Sequence, residues 1–217
     1  MRLTVLLASI ALATAAPARA DESSTTPYQT LYQVLSPVAA ISTYDRLVAV
    51  ERIESKLPGV RAEDIRVVIH ASRGAIPVPV APGGIVHFPV TDALRHENPP
   101  VETNQPKGSL ALIVNVALRG FERGRVQWSD IEAGLEQVKA FYAKTRDATA
   151  PAISGIQVHF SPGGAAMLTI EGKDERLLMA DPGGRIIVTR DMVGSASPAL
   201  VFSRAPDYVL PYSDETP

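Results

Sequence analysis

Four histidines, His70, His87, His96 and His159, are the side chains of this chain best suited to proton or metal chemistry near neutral pH. A helical zinc site of the H-E-x-x-H type needs two imidazoles one turn apart with a carboxylate between them. His96-Glu97 has no second histidine four residues on, and no other pair stands at ligand spacing. His70 and His87 share a surface only if their strands pair, and two imidazoles alone do not hold Zn²⁺ in a closed site. They are therefore expected to be half-exposed strand residues, with no metal and no cofactor. Nucleophilic chemistry is equally poorly served. The chain has no cysteine, no G-x-S-x-G elbow and no S-x-x-K, and Ser109 in KGSL and Ser195 in VGSASP have no base nearby in sequence. No catalytic residue is predicted.

The polar run HENPPVETNQPKGS, His96 to Ser109, is the candidate binding segment. Its prolines hold the backbone extended, and Glu102, Asn104 and Lys107 would present mixed donors and acceptors on a stiff loop. The plainer reading makes it a crossover between sheets in which Asn98 and Asn104 cap turns.

These residues need elements to position them, and most of the chain has the period-two pattern of strands. Ile65, Val67, Ile69 and Ala71 share one face of IRVVIHA, and Leu110, Leu112, Val114, Val116 and Leu118 share one face of LALIVNVAL. In GIQVHF, Ile156, Val158 and Phe160 alternate with Gln157 and His159. Further strands are expected at 47–53, 76–80, 85–90, 166–171, 176–180, 185–189 and 199–203, separated by LPG, SRG, PGG and EGK turns. One segment departs from this rhythm. WSDIEAGLEQVKAFYAKTR places Ile131, Leu135, Val138 and Phe141 or Tyr142 at helical spacing, with Ser129 and Glu132 in capping-box order, and predicts a helix over about 129–146. Its single apolar stripe is needed for packing, which argues against a free partner-binding helix.

A longer-range regularity links the two sides of this helix. At an offset of 100, Pro82-Gly83-Gly84 falls on Pro182-Gly183-Gly184 and Pro106 on Pro206; at 99, Asp92 falls on Asp191 and Pro99 on Pro198. Both Pro-Gly-Gly turns lie between expected strands, whereas a phosphate cradle lies between a strand and a helix N-terminus. They are thus expected to be equivalent turns carrying geometry and no ligand. A third Pro-Gly-Gly, at 162–164, shows how readily the tripeptide arises.

The first twenty residues, MRLTVLLASIALATAAPARA, have one basic residue before an apolar run and Ala18-Arg19-Ala20 before the first acids, the layout of a cleaved secretory signal. Cleavage after Ala20 removes Arg2 and Arg19, leaving 197 residues with 19 Lys+Arg against 23 Asp+Glu, a net charge of −4. That balance lacks the electrostatic footprint of a nucleic-acid binder. No later run is apolar enough for a transmembrane segment. The intact mass of protein recovered from an exporting cell is expected to lack residues 1–20; a mass that retains them contradicts the export reading.

The expectation is a mainly β protein of two small β-sandwich-like units, with a possible internal duplication, joined by one amphipathic helix. Its parts are a signal at 1–20, a flexible N-terminus at 21–27, β units at 28–120 and 151–212, a linking helix at 128–146 and a tail at 213–217. The expected role is a non-enzymatic binding or structural module, periplasmic or secreted, whose partner is an unidentified protein or small molecule of the cell envelope. The alternative is a hydrolase or metal-assisted enzyme with a site between the two β units, drawing on His70, His87 and nearby carboxylates.

Overall fold

The computed structural model describes residues 23–145, 152–161, 164–172, 174–194 and 197–214. The signal segment, Pro162 and Gly163 of the third Pro-Gly-Gly, Ser195, residue 146 of the expected helix and residues 215–217 of the expected tail lie outside these. The protein is mainly β. Its first half runs β1 (Ser24–Pro27), α1 (Tyr28–Leu35), β2 (Leu47–Ser55), β3 (Val67–Ala71), β4 (Gly74–Val78), β5 (Ile85–Val86), α2 (Asp92–Glu97), β6 (Pro100–Thr103) and β7 (Leu110–Leu118). The second runs β8 (Arg125–Gln127), α3 (Trp128–Thr145), β9 (Gly155–His159), β10 (Met167–Ile170), β11 (Arg176–Met179), β12 (Arg185–Thr189), α4 (Arg190–Val193), β13 (Ala199–Phe202) and β14 (Tyr208–Tyr212). The order β-α-β-β-β-β-α-β-β therefore occurs twice.

The chain divides into two compact units, Ala40–Ala49 with Val116–Pro217, and Val50–Asn115 with the described residues up to Ala39. In the second of these, a four-stranded antiparallel sheet has the order β1-β6-β3-β4, and β5 and β7 flank β2. Its core gathers Tyr28, Leu35, Ile53, Ile65, Ile69, Val86 and their neighbours. In the unit containing residues 116–217, one sheet has the order β8-β13-β10-β11, and β12, β9, β14 and β7 lie side by side in another. Helix α3 belongs to this unit and buries Trp128, Ile131, Leu135, Val138, Phe141 and Tyr142, the stripe that its 3.6-residue period predicts.

Matching elements are held by matching bonds. The Tyr28 N–H donates to the Pro99 carbonyl at 3.0 Å and the Trp128 N–H to the Pro198 carbonyl at 2.9 Å, each at the first residue of a helix. Both aromatic side chains are buried. The residues before those prolines, Asn98 (φ 51°) and Ser197 (φ 45°), are the non-glycine residues with positive φ among the described residues. The pairing register is also shared, with Val68 opposite Glu102 on β3 and β6, and Leu168 opposite Phe202 on β10 and β13.

The two Pro-Gly-Gly turns close alike. Ala81 N–H donates to Ile85 O and Gly84 N–H to Ala81 O, at 2.8 and 2.9 Å; Asp181 N–H donates to Arg185 O and Gly184 N–H to Asp181 O, at 2.9 and 2.8 Å. Gly84 (φ +82°) lies against the Ile53 carbonyl and Gly184 (φ +76°) against the Phe160 carbonyl, so closely that a Cβ on either would collide with that oxygen. They differ at the middle residue, since Gly83 is left-handed (φ +76°) and Gly183 is not. In the second turn the Asp181 carboxylate accepts the N–H groups of Gly183 and Arg185, each at 2.9 Å, a support that Ala81 has no side chain to give.

Three sequence expectations are corrected. Residues 24–27, expected to be flexible, form β1, because they pair with β6 and Ser24 Oγ donates to the Gln105 carbonyl at 2.8 Å. The strand expected over 85–90 stops at Val86, since Phe88 gives its N–H to the Glu51 carboxylate at 2.9 Å and Pro89 has none to give. The helix starts at Trp128, so Ser129 lies inside it and not at the cap position.

Candidate functional site

The candidate residues His70, His87, Glu102, Asn104 and Lys107 lie in one unit but do not converge, and His159 lies in the other. Glu102 belongs to strand β6 and not to a loop, and its Oε2 is 2.7 Å from Nε2 of His70 on the neighbouring β3. That pair is a half-exposed surface contact. His87 follows β5 and is exposed; its strand and that of His70 belong to different sheets, so the two imidazoles are not cross-strand neighbours. Among the described residues no three His, Asp or Glu side chains gather as a metal-holding group. Asn104 works as a turn clamp: its Oδ1 accepts the Arg66 N–H and its Nδ2 donates to the Asp64 carbonyl, both at 2.8 Å. Asn98 likewise accepts the Gln29 N–H. Lys107 is exposed in the turn before β7.

Glu51 is the buried acid of this unit, with its carboxylate on the Phe88 N–H. Burial pushes its pKa up, opposed by the Phe88 hydrogen bond and by His87. A carboxyl whose folded pKa exceeds its unfolded value binds more protons in the folded state. Its contribution to stability is therefore full below the unfolded pKa and falls as pH rises through the folded one. Glu51→Gln is expected to remove this fall in denaturant titrations made across the acid range, because glutamine still offers an acceptor to Phe88. An unchanged pH dependence would contradict the assignment.

The chemically richer surface lies in the other unit, where the β7–β8 turn, the chain before β2 and the first turns of α3 enclose a groove of about 220 Å³. Its floor is apolar, formed by Leu118, Phe121 and Ile131, all buried, with Val126 beside them. Phe121 is held edge-on against Phe202, with centroids 5.8 Å apart. At Gly134 a Cβ would stand 2.9 Å from Leu118 Cδ2, so glycine lets the helix approach β7 and shapes the groove.

Two arginines form the cationic wall. Arg46 Nη1 donates to the Asp130 carbonyl at 3.3 Å and pairs with its carboxylate at 3.1 Å. Just before β2, Gln137 on α3 accepts the Arg46 N–H and donates to Asp45, whose carboxyl this bond holds below the usual range. Arg119 gives its backbone N–H to the Arg46 carbonyl at 2.9 Å and its Nε–H to the Leu47 carbonyl. Among the described residues no carboxylate pairs with the Arg119 guanidinium. The groove opens onto a shallower one lined by Glu122, Arg123, Arg125 and Gln127, where Arg125 pairs with Glu171.

Sequence reasoning missed these arginines. The run RGFERGR, Arg119 to Arg125, carries three arginines and two glycines in a turn and was the available signal. Compared with protein-family models, curated proteins and solved structures, the chain matches none of them, so its functional reading rests on its own residues.

Proposed function

We propose that the protein is a non-enzymatic binding or structural module of the cell envelope, exported and built as a tandem duplication of one β-rich unit of about a hundred residues. The observation that carries the duplication is the paired geometry of the two halves: the same element order, the same helix-start bond to a proline carbonyl, and the same left-handed residue before that proline. Independent halves would have no reason to share the last feature, because a non-glycine residue at positive φ is uncommon. The non-enzymatic reading is supported by how polar side chains are used. Asn98, Asn104, Glu51 and Asp181 each satisfy backbone groups of turns and strand ends, work that positions chain and not substrate. Export is supported by the charge and apolar layout of residues 1–20.

Native mass spectrometry of the exported protein tests this reading. A chain lacking residues 1–20 and carrying no stoichiometric metal is expected. Stoichiometric zinc or another first-row metal would overturn the non-enzymatic role in favour of a metal-assisted enzyme.

A further inference from the structure

Resting on the binding reading above, we propose that the groove between the β7–β8 turn and α3 takes a small organic monoanion with an apolar body, its carboxylate seated on Arg119. The charge balance selects the anion. Of the charged residues that line the groove, Arg46 is paired with Asp130, which leaves Arg119. One positive charge in excess suits a monoanion, while Asp130 and Glu122 at the rim repel a dianion such as phosphate. The geometry selects the anchor. With Nε committed to the Leu47 carbonyl, the Arg119 guanidinium is held in place and its Nη groups remain to donate to a carboxylate.

The floor selects the body. Leu118, Phe121, Val126 and Ile131 offer nothing to a hydrated inorganic ion but exclude water from an alkyl chain. A groove of about 220 Å³ suits a small occupant, and a short-chain acid such as hexanoate is a fitting probe. The same cationic wall over an apolar floor also suits the C-terminal carboxylate of a peptide ending in an aliphatic residue. The shared chemistry is a carboxylate on an apolar stem.

Amide NMR titrations with hexanoate, acetate and 1-hexanol test the proposal. Hexanoate is expected to shift the amides of Arg46 and of residues 119–125 saturably, and acetate and hexanol to bind at least about tenfold more weakly. Arg119→Gln should weaken hexanoate about 10- to 100-fold, the loss of a charge-assisted pair. Arg119→Lys, which keeps the charge and loses the fork, should fall between, and Arg73→Gln in the other unit should change nothing. A peptide ending in valine should compete with hexanoate, and its amidated form should not. Acetate binding as tightly as hexanoate, hexanol binding as tightly, shifts confined to another surface, or full affinity in Arg119→Gln with the wild-type melting temperature each overturn the site. If neither Arg119 variant folds, the shift map of the wild type decides. Turnover of p-nitrophenyl hexanoate, measured separately and lost in Arg119→Gln, would overturn the non-enzymatic reading while leaving the groove's specificity standing.

Discussion

Alanine at Gly84 and alanine at Gly184 are each expected to destabilise the protein by about 2–6 kcal/mol, the joint cost of forcing a side chain into a left-handed backbone and of overpacking it. The two sites share the causes. Each glycine has positive φ, and a Cβ there meets a carbonyl oxygen of the chain beside the turn, Ile53 in one case and Phe160 in the other. Backbone cannot rotate away as a flexible side chain would. Gly83→Ala is the control, since its φ is +76° but nothing lies within 4 Å of its Cβ position; it should cost only about 1 kcal/mol. Urea titrations of the three variants compare them directly. Losses at Gly84 and Gly184 no larger than that at Gly83 would mean that the two turns relax freely and that the shared contact does not hold them.

Leu135→Ala should cost about 2–5 kcal/mol, the range for removing a fully buried leucine and leaving a cavity. Leu135 is 0 % exposed, at the centre of the α3 stripe between Ile131 and Val138. Alanine is at least as good a helix former as leucine, so the helix itself loses nothing and the effect reports packing alone. A change near zero in the same urea titration would place the stripe in a loosely packed setting and revive a partner-binding role for the helix.

What the sequence showed was what periodicity can carry. Helix α3 was legible because five apolar residues recur at one face, and β7 and β9 because alternation ran for five residues or more, whereas β2 and β12 showed as apolar runs between turn residues. Strand β1 was not, because STTP is a polar strand with no large apolar residue to mark a face. Strand β8 has three residues, and β14 contains Pro211, which argues against a strand in isolation. Helix α1 was less legible although Tyr28, Leu31, Tyr32 and Leu35 stand at helical spacing, because it has only eight residues, no capping side chain and no acidic residue in its first turn. The offset near 100 between the Pro-Gly-Gly turns was legible, but its reach was not. It extends to Tyr28 and Trp128 at the helix starts, which share an aromatic character and a backbone bond but no tripeptide. The arginine groove draws on residue 46, on the turn after β7 and on α3, and no local pattern announces that convergence.

Amide hydrogen exchange in solution tests the proposed duplication most directly, because it reads the matching backbone bonds pair by pair. The N–H groups of Tyr28 and Trp128, of Ala81 and Asp181, and of Gly84 and Gly184 all donate to main-chain carbonyls. Both members of each pair are expected to exchange at least about a hundredfold more slowly than in an open chain, as amides released only by local unfolding do. Protection of one member of a pair with open-chain exchange of the other would contradict a common frame.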